Sequence, residues 1–341
     1  MYFLMKNNNK QVVHLCGSPT NEFFYNLSLI YAKDILLPPN WEQSFLIIDQ
    51  KKNYYLTKNL GQNKKKINIK DLKSIIPLNT LVIPHLFCKS GMTEYRDYFE
   101  NELGFSIFGS SGKTMSLTMN KYLTKDIVNK QGLKIAQGEL IYGSNKPKLK
   151  FQIILKPNDQ DNSTGLRLIL NEKQFERNIS ELNKFYNPIL AEEFIPGREI
   201  RIAVIKKSNY FYVPAIIEYL VSDKNPIRKT EDKLDLNREG DPYQQSTNTP
   251  LKTICPADLN DVLREKITTL AITAHKAIGA RDYSLFDFRI DNRTNEIIFL
   301  EAGLFWSFSK TSIISKMLFS GGDDVVKLID QIWTYALPNN Q

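Results

Sequence analysis

Apolar runs and helical patterns alternate along the first third of the chain. Three short apolar runs predict buried strands, and two helical patterns fall between or after them: residues 12–16, 45–48 and 81–83 for the strands, and residues 24–35 and 95–103 for the helices. Strands that alternate with helices predict a parallel sheet, whose ligand lies at the carboxyl ends of the strands. A ligand is therefore expected near Gly17 and Ser18 and near residues 85–92.

The middle of the chain mixes strands, helices and polar loops. The pattern predicts the following elements: a helix at residues 114–131 that ends at Gly132, strands at 151–157 and 166–170, a helix at 172–184, and a helix at 258–278 that ends at Gly279. Residues 222–253 are irregular and rich in charge, Asn, Thr and Pro. A loop of this length inside a domain is usually functional or disordered.

Residues 282–303 contain the pattern that says most about the chemistry of the protein. Two runs rich in aromatic and β-branched residues flank a polar turn at residues 291–296, which predicts a β-hairpin. Each run contains one acid, Asp287 or Glu301, at a similar distance from the turn, so both carboxylates are expected on one face of the sheet. Two such carboxylates repel each other and lose hydration, and Mg²⁺ would relieve both effects. The alternative is two partly exposed acids on an edge strand.

Composition narrows the class of protein. A length of 341 residues exceeds the usual capacity of one core and predicts two or three domains, and a net charge of +8 suits an anionic ligand such as a nucleotide. The run of lysines at residues 64–66 is interpreted as a solvated loop rather than an RNA contact.

Three cysteines without a Cys-x-x-Cys pair argue against structural zinc. The amino-terminal apolar run is too short for a signal peptide and no stretch approaches a membrane span, so a cytoplasmic protein without nucleic-acid or membrane partners is expected.

Two further segments form a candidate nucleotide site. Lys156 ends an apolar strand and precedes the polar loop 158–165, whose backbone N–H groups can cradle phosphates. In residues 192–199, a short apolar segment can bracket a purine, and Glu199 can accept hydrogen bonds from ribose hydroxyls. A turn at Pro196 and Gly197 explains this second pattern equally well on its own.

Taken together, these patterns resemble the ATP-grasp superfamily and, within it, the D-alanine–D-alanine ligases. The resemblance covers nearly the whole chain and rests on motifs in a consistent order: Asn120-Lys121, Leu155-Lys156-Pro157, Glu193-Phe-Ile-Pro-Gly-Arg-Glu199, Ile254-Cys-Pro-Ala257, Phe286-Asp287-Phe288 and Leu300-Glu301-Ala302. It implies a mixed α/β (α+β) fold of three subdomains. These are an amino-terminal parallel-sheet domain at 1–120, a central nucleotide-clamping subdomain at 121–199, and a carboxy-terminal catalytic sheet subdomain at 200–341 with a lid at 234–253.

The resemblance also implies ATP and Mg²⁺ as cofactors and assigns roles to matching positions. The implied ATP contacts are Lys121, Lys156, Asn162, Ser163, Thr164, Glu192, Phe194, Ile195, Glu199 and Lys233, and the implied metal ligands are Asp287 and Glu301. Lys233 matches the lysine that reaches the γ-phosphate. Glu22 lies near the position of an acid for the first substrate, and Ser312 matches the serine that binds the carboxylate of the second substrate.

Three departures from the family pattern concern the acceptor side of the site. The family has Asn, a ligand of a second Mg²⁺, where this chain has Gly303, and Arg where this chain has Leu285. Arg289, on the same strand face as Asp287, could replace that arginine in catalysis. Finally, residues 304–308 include Phe305 and Trp306 in place of small residues, which predicts a reshaped pocket with these aromatic rings against the substrate.

One branch of the superfamily shares part of this altered pattern. Residues 283–291 followed by 299–305 resemble the ligase of mycosporine-like amino acid biosynthesis, which also carries Glu-Ala-Gly-Leu at this point. The resemblance implies that ATP phosphorylates the ring ketone oxygen of mycosporine-glycine. An amino acid such as serine or threonine then displaces phosphate to give an imine.

Two other functions stay open. The first is a D-alanine–D-alanine or other dipeptide ligase with an acyl phosphate intermediate, against which Leu285 and the aromatic segment count. The second is a nucleotide-binding or nucleic-acid-binding module without turnover, which Gly303, Leu285 and the positive charge suggest. Retention of both hairpin acids and of the three family lysines counts against it. Family analogy suggests a homodimer.

Overall fold

The computed structural model describes residues 10–161, 163–229 and 252–337, which form a mixed α/β fold around three β-sheets. In this part of the chain the strands are β1 (Lys10–Gly17), β2 (Trp41–Ile48), β3 (Tyr54–Thr57), β4 (Lys65–Ile67), β5 (Leu81–Pro84), β6 (Ser106–Ile107), β7 (Lys134–Ile135), β8 (Gly138–Ile141), β9 (Ile153–Pro157), β10 (Arg167–Ile169), β11 (Ile189–Glu193), β12 (Gly197–Lys207), β13 (Tyr210–Tyr212), β14 (Ile217–Tyr219), β15 (Thr253–Ile254), β16 (Tyr283–Asp291) and β17 (Ile297–Gly303).

Helices flank or connect these strands. In the same residues they are α1 (Glu22–Lys33), α2 (Leu72–Ile75), α3 (Lys89–Met92), α4 (Glu94–Asp97), α5 (Gly112–Met119), α6 (Lys121–Asn129), α7 (Glu172–Leu182), α8 (Asp261–Ala277), α9 (Ile313–Ser320) and α10 (Val325–Ala336), with short helical turns at Ile69–Asp71 and Tyr98–Glu102. No helix in the described ranges is both long and apolar enough to cross a lipid bilayer.

The first sheet contains the strands predicted in the first third of the chain. Its order is β4-β3-β2-β1-β5-β6, and β1 pairs in parallel with both β2 and β5, which confirms the predicted parallel core of this sheet. The strand β1 is buried along most of its length because it lies between two neighbours and is covered on both faces. The loop after β5 and the end of β1 therefore meet at one edge of the sheet, as predicted.

The remaining strands form two further sheets: a central sheet that is antiparallel, and a large sheet that is antiparallel except for the parallel pair β17–β7. The central sheet has the order β10-β9-β11-β8, and α7 packs on it through Phe175, Ile179 and Leu182. The large sheet has the order β15-β14-β12-β16-β17-β7, and its edge strand β7 lies wholly within the segment 121–199. The domain boundaries at 120 and 199 stay a prediction, and the predicted lid lies, except for residues 252 and 253, outside the described residues.

The large sheet separates two hydrophobic cores. Residues of β16 alternate between them: Tyr283 and Leu285 pack with Phe308 and Trp333 on one face, whereas Phe286 and Phe288 pack with α8 on the other. The first of these cores also contains residues of the first sheet, such as Leu81. The amino-terminal sheet is thereby fixed against the hairpin β16–β17, which carries the two predicted metal acids.

Two of the predicted helices differ from the structure. The pattern at 114–131 is two helices, α5 and α6, because Asn120 adopts an extended conformation with ψ of 95° and its side chain caps α6 by accepting from Leu123 N. Asn158 fixes this break, since its side chain accepts from Tyr122 N and donates to Asn120 Oδ1. The pattern at 95–103 is likewise divided between α4 and the turn that follows it.

A buried acid connects the linker after β6 to the large sheet. Asp282 precedes β16 with φ of 49°, and its carboxylate accepts a hydrogen bond of 2.6 Å from Gly109 N. Burial raises the pKa of Asp282 to about 6, although the Gly109 N–H and the charges of Arg281, Lys206 and Arg96 oppose this rise. The folded protein therefore holds a carboxylate whose ionised form is disfavoured relative to the unfolded chain.

Asp282→Asn is expected to stabilise the protein at pH 7.5 and to leave stability nearly unchanged at pH 4. The folded pKa is above the unfolded one, so the wild type loses stability as pH rises from about 4 to about 6, by about 1–3 kcal/mol. Asparagine keeps an acceptor for Gly109 N–H and tolerates the positive φ. Urea unfolding at the two pH values measures the difference.

Asp324→Asn is the matched control for this prediction. Asp324 caps α10 by accepting from Lys327 N, and its side chain is exposed. Asparagine is an equally good capping residue, so stability should change little at either pH. A loss of stability in Asp282→Asn at pH 7.5 would show that the negative charge itself is required.

Candidate active site

A cleft of about 750 Å³, open to solvent, lies between the central sheet and the large sheet. It brings together most of the residues that the resemblance assigned to ATP and metal, namely Lys121, Lys156, Ser163, Thr164, Glu192, Phe194, Ile195, Glu199, Asp287 and Glu301, and it also contains the catalytic candidate Arg289. Two other predicted members, Asn162 and Lys233, lie outside the described residues. Residues from five separate strands and two loops thus converge on one cavity.

The two hairpin acids lie directly opposite each other, as the pattern predicted. Asp287 pairs with Glu301 across β16 and β17, and a β-bulge follows immediately after Asp287. The edge-strand alternative is wrong, because β16 lies between β12 and β17, and β17 lies between β16 and β7. Asp287 is buried, whereas Glu301 is partly exposed and borders the cleft.

Asp287 is surrounded by arginines from neighbouring segments. Arg201 binds it through two parallel hydrogen bonds of 2.6 Å, and Arg228 donates a third of 2.8 Å. Arg201 lies on β12 directly across from Asp287. Burial disfavours the charge of Arg201, but the Asp287 carboxylate outweighs it, and the pKa of Arg201 lies well above its ordinary value.

Arg289 occupies a different place from the one we expected. Its guanidinium donates to Glu199 Oε2 at 2.9 Å and to the carbonyl oxygens of Ile195 and Pro226. Arg289 shares a strand face with Asp287, as predicted, but lies farther along β16 and pairs across the sheet with Glu199. The guanidinium that binds the hairpin acid Asp287 belongs to Arg201 instead, and Arg289 binds Glu199, which is predicted to contact the ribose.

Glu192, the predicted adenine contact, forms an ion pair with two lysines. Lys156 donates to it at 2.6 Å, and Lys125, from α6, is paired with its other oxygen. Burial raises the pKa of Glu192, but the two lysine charges more than offset this, and its pKa lies below the ordinary value. Burial lowers the pKa of Lys125 to about 8 against the opposing charge of Glu192. The three groups form one buried network that fixes Lys156 at the cleft.

Lys121 begins α6 and also borders the cleft. Its ammonium donates to the carbonyl oxygen of Gln160, in the polar loop after β9. Burial lowers the pKa of Lys121, and the carboxylate of Glu301 opposes the shift. The charged side chains that line the cleft are four basic and five acidic: Lys121, Lys156, Arg228 and Arg289, with Glu192, Glu193, Glu199, Asp287 and Glu301. Lys125 and Arg201 support this set through their ion pairs with Glu192 and Asp287. The basic side chains suit a polyphosphate.

The predicted phosphate loop is folded over the cleft. Ser163 has φ of 57°, and its hydroxyl donates to the carbonyl oxygen of Arg228 at 3.0 Å. Thr164 N donates to the Asp161 carbonyl, which closes a tight turn. In the segment predicted to hold adenine, Phe194 N donates to the Gln152 carbonyl, and the Phe194 ring lies 5.6 Å from the Arg289 guanidinium.

The aromatic segment after β17 fills space beside the hairpin acids. A Cβ at Gly303 would lie 2.9 Å from Trp306 Nε1, so the indole occupies the space that a larger residue would need. The Trp306 ring lies 5.1 Å from the Arg201 guanidinium. Phe305 packs against Phe87 at 4.7 Å, next to the fully buried guanidinium of Arg96. Contact of Phe305 and Trp306 with a substrate stays a prediction.

The two remaining predicted substrate residues lie at the starts of two helices, and neither lines the cleft. Glu22 is the first residue of α1 and is exposed. Ser312 is buried and caps α9, because its side chain accepts from Ser315 N and contacts Ser315 Oγ at 3.1 Å. The hydroxyl of Ser312 is thus used by the helix, and its role in carboxylate binding stays a prediction.

The donor set fits one Mg²⁺ ion better than two. Glu301 offers a partly exposed carboxylate, and Mg²⁺ typically takes one or two carboxylates together with phosphate oxygens and water. Both oxygens of Asp287 are bound by guanidinium groups. Within the described residues, no group of three or more His, Cys, Asp or Glu side chains is arranged to hold a metal.

Three charged residues of this site were missed from the sequence. Arg201 follows Glu199 by two residues and therefore shares its strand face, which was a usable signal. Lys125 follows Lys121 by four residues, the spacing that places two side chains on one helix face. Arg228 lies in an irregular segment, and no local pattern indicated that it would reach Asp287.

Comparison with solved structures places the fold. VanG D-Ala:D-Ser ligase from Enterococcus faecalis superposes with a TM-score of 0.78 at 18% identity, covering 96% of this chain and 100% of that one. The D-alanine–D-alanine ligase from Coxiella burnetii superposes with a TM-score of 0.76 at 17% identity, covering 98% and 95%. At these identities the likeness shows the fold alone, which is the predicted ATP-grasp fold.

Sequence comparison shows the family. D-alanine–D-alanine ligase from Clostridium acetobutylicum is 26% identical over 251 residues, covering 70% of this chain and 68% of that protein. The enzyme of the same name from Oceanobacillus iheyensis is 28% identical over 249 residues, covering 70% and 62%. The family model described as D-ala D-ala ligase C-terminus matches residues 127–334, more than half of the chain. The chain therefore belongs to the D-alanine–D-alanine ligase family, as an ADP-forming ligase of this kind that uses ATP and Mg²⁺.

Proposed function

We propose that the protein joins two amino acids by activating the carboxylate of the first as an acyl phosphate. The observation that carries the proposal is the cleft in which Lys121 and Lys156 face the opposed pair Asp287 and Glu301, within a chain that matches the D-alanine–D-alanine ligase model. The lysines suit the phosphates of ATP, and the partly exposed Glu301 suits a divalent cation beside them.

The proposed reaction has two steps. A carboxylate oxygen of the first amino acid attacks the γ-phosphorus of ATP, the bond to the bridging oxygen breaks, and ADP leaves with the electron pair. The amine of the second amino acid then attacks the acyl carbon, phosphate leaves, and the nitrogen loses a proton to give the amide. Mg²⁺, when bound, neutralises charge on the phosphate oxygens.

The residues of this chain would position and shield these groups. Lys156 is held at the cleft by Glu192, so its charge is fixed before a ligand arrives and needs little reorganisation. Glu199 is held by Arg289 on β12 and β16 at the end of the cleft expected to take the ribose. Such prior ordering of charged groups is what transition-state stabilisation requires.

A second candidate function has one observation in its favour. The segment that follows the hairpin acids is aromatic, with Phe305 packed on Phe87 and with Trp306 packed over Gly303, whereas a small amino acid needs little apolar surface. A ring substrate such as mycosporine-glycine would use that surface. ATP would then phosphorylate the ring ketone oxygen, and the amine of serine or threonine would displace phosphate to leave an imine.

An acceptor screen with ADP release as the readout tests both proposals. Pairs of small amino acids, including D-alanine with D-alanine and with D-serine, are expected to drive ADP release and dipeptide formation detected by mass spectrometry. ADP release that needs mycosporine-glycine and serine or threonine together, with a shift of absorbance to longer wavelength, would replace the first proposal with the second. Absence of turnover with every pair would favour a nucleotide-binding module. A homodimer also stays a proposal, and light scattering would test it.

A further inference from the structure

Both carboxylate oxygens of Asp287 are bound by side chains of the chain itself. Oδ1 accepts from Arg201 Nε at 2.6 Å, and Oδ2 accepts from Arg201 Nη2 at 2.6 Å and from Arg228 Nη2 at 2.8 Å. Asp287, Arg228 and Arg201 are 3%, 5% and 8% exposed. A buried carboxylate engaged by a bidentate guanidinium and a second guanidinium has little capacity left for a divalent cation.

Aromatic rings fix the two guanidinium groups on this carboxylate. Arg201 lies 5.1 Å from the Trp306 ring and 5.6 Å from the Tyr219 ring, and Arg228 lies 4.0 Å from Tyr219. The planar guanidinium is suited to such stacking and to bidentate carboxylate binding at once. Transfer of Asp287 to a metal would leave the buried guanidinium of Arg201 without its bidentate partner and would leave Arg228 with Glu199 alone, at 3.4 Å, which is unfavourable.

The indole of Trp306 also fills the space next to Gly303 on β17. Gly303 pairs with Leu285, and a side chain there would meet Trp306 Nε1. A side-chain oxygen ligand at position 303 is therefore excluded while Trp306 keeps its place. Glu301, two residues earlier, borders the cleft with a partly exposed carboxylate.

We propose that the transfer site holds one divalent cation, on Glu301, and that the guanidinium groups of Arg201 and Arg228, fixed on Asp287, take the place of a second cation. Asp287 is then a positioning residue for the arginines rather than a metal ligand. Arg228 borders the cleft, so one guanidinium adjoins the space expected for the triphosphate. Arginine and metal ions stabilise the same charge on a transferring phosphoryl group.

The number of Mn²⁺ ions bound with a non-hydrolysable ATP analogue tests this proposal. Electron paramagnetic resonance of the wild-type protein should show one bound Mn²⁺ per chain and no spin coupling between two ions. A coupled pair of Mn²⁺ ions in the wild type would overturn the proposal.

Two substitutions separate the roles of the hairpin acids. Glu301→Gln is expected to weaken Mn²⁺ binding about tenfold or more, as loss of a direct ligand does, whereas Asp287→Asn should change it less than about threefold. Comparable large losses in both variants would overturn the proposal. Circular dichroism verifies folding of each variant. If Asp287→Asn does not fold, the number of Mn²⁺ ions bound by the wild-type protein tests the proposal alone.

Arg198→Met provides a matched control on the same strand. Arg198 binds Glu218 through two hydrogen bonds of 2.7 and 2.6 Å, the same bidentate geometry as Arg201 with Asp287, but it does not border the cleft. Its loss should change neither the number nor the affinity of bound Mn²⁺. The double variant Arg201→Met with Arg228→Met should instead admit a second, spin-coupled ion at the released Asp287.

This inference rests on the proposed function only in taking ATP as the phosphoryl donor. The metal count needs no acceptor substrate, so a failed acceptor screen leaves it intact. Conversely, two bound ions would overturn the arginine assignment without affecting a positive result in the screen.

Discussion

Glu301→Gln is expected to lower the rate of ADP formation by about a hundredfold to a thousandfold while leaving the fold intact. Glutamine has the same shape but carries no charge, so the site loses the partly exposed carboxylate that borders the cleft opposite Asp287. The substitution also removes the negative charge that acts on Lys121. A coupled assay of ADP release at saturating ATP, with the best acceptor pair, measures the effect.

Glu296→Gln is the control for this prediction because it lies on the same hairpin. Glu296 forms a surface ion pair with Lys134 at the turn end of β17, away from the cleft. Exposed pairs of this kind contribute little to stability, so turnover and unfolding should both stay near wild type. Near-normal turnover of Glu301→Gln would show that the acid is not part of the transfer site.

The local part of the site could be predicted from the sequence. The hairpin β16–β17 follows from a polar turn between two β-rich runs, and its symmetry about the turn places Asp287 opposite Glu301. Both facts depend on residues close together in the chain. The same holds for the parallel strands of the first sheet, whose apolar runs are short and well separated.

The pairing of β12 with β16 could not be predicted in the same way. Arg201 meets Asp287 and Glu199 meets Arg289 only because these two strands align in one antiparallel register, although they are far apart in the chain. Hydrophobic alternation specifies which side chains share a face, but it does not specify which residue of a distant strand lies opposite. The shared strand face alone therefore assigns to Arg289 the place beside Asp287 that Arg201 occupies in the structure.

The break between α5 and α6 was missed for a different reason. The residues around Asn120 continue a helical pattern, and Asn is only mildly unfavourable inside a helix. The break follows from the side chain of Asn158, which lies in the loop after β9 and binds both Asn120 and Tyr122 N. A tertiary contact thus outweighs local helix propensity, and it places Lys121 at the start of α6, where it borders the cleft.

We expect substrate preference to depend on residues 304–308, the segment that departs most from the family pattern. Family membership accounts for ATP, Mg²⁺ and the ligase class, because these follow from the cleft and the matched model. The aromatic residues Phe305 and Trp306 pack on Phe87, Gly303 and Arg201, so the altered positions support one another rather than occurring at random. The acceptor screen therefore carries more information about this protein than any further test of nucleotide binding.

Gly197→Ala is expected to lower the free energy of unfolding by about 3 kcal/mol and to weaken ATP binding. Gly197 starts β12 with φ of 138°, a conformation that other residues rarely adopt, and an added Cβ would overlap the carbonyl oxygen of Ile290 on β16. The strands must separate to relieve this overlap, which displaces Glu199 from Arg289. Urea unfolding followed by tryptophan fluorescence measures the stability, and calorimetric titration with an ATP analogue measures the affinity.

Gly132→Ala separates the cost of backbone strain from the cost of the overlap with Ile290. Gly132 also has a positive φ, of 86°, but an added Cβ there would meet no atom within 4 Å. The substitution should therefore cost only the backbone strain, about 1 kcal/mol, and should leave ATP affinity unchanged. If the two variants unfold at the same urea concentration, the close approach of β12 to β16 at Gly197 does not determine the stability of the large sheet. Weakened ATP binding in Gly197→Ala alone would support the view that this approach positions Glu199 and Arg201 for the cleft.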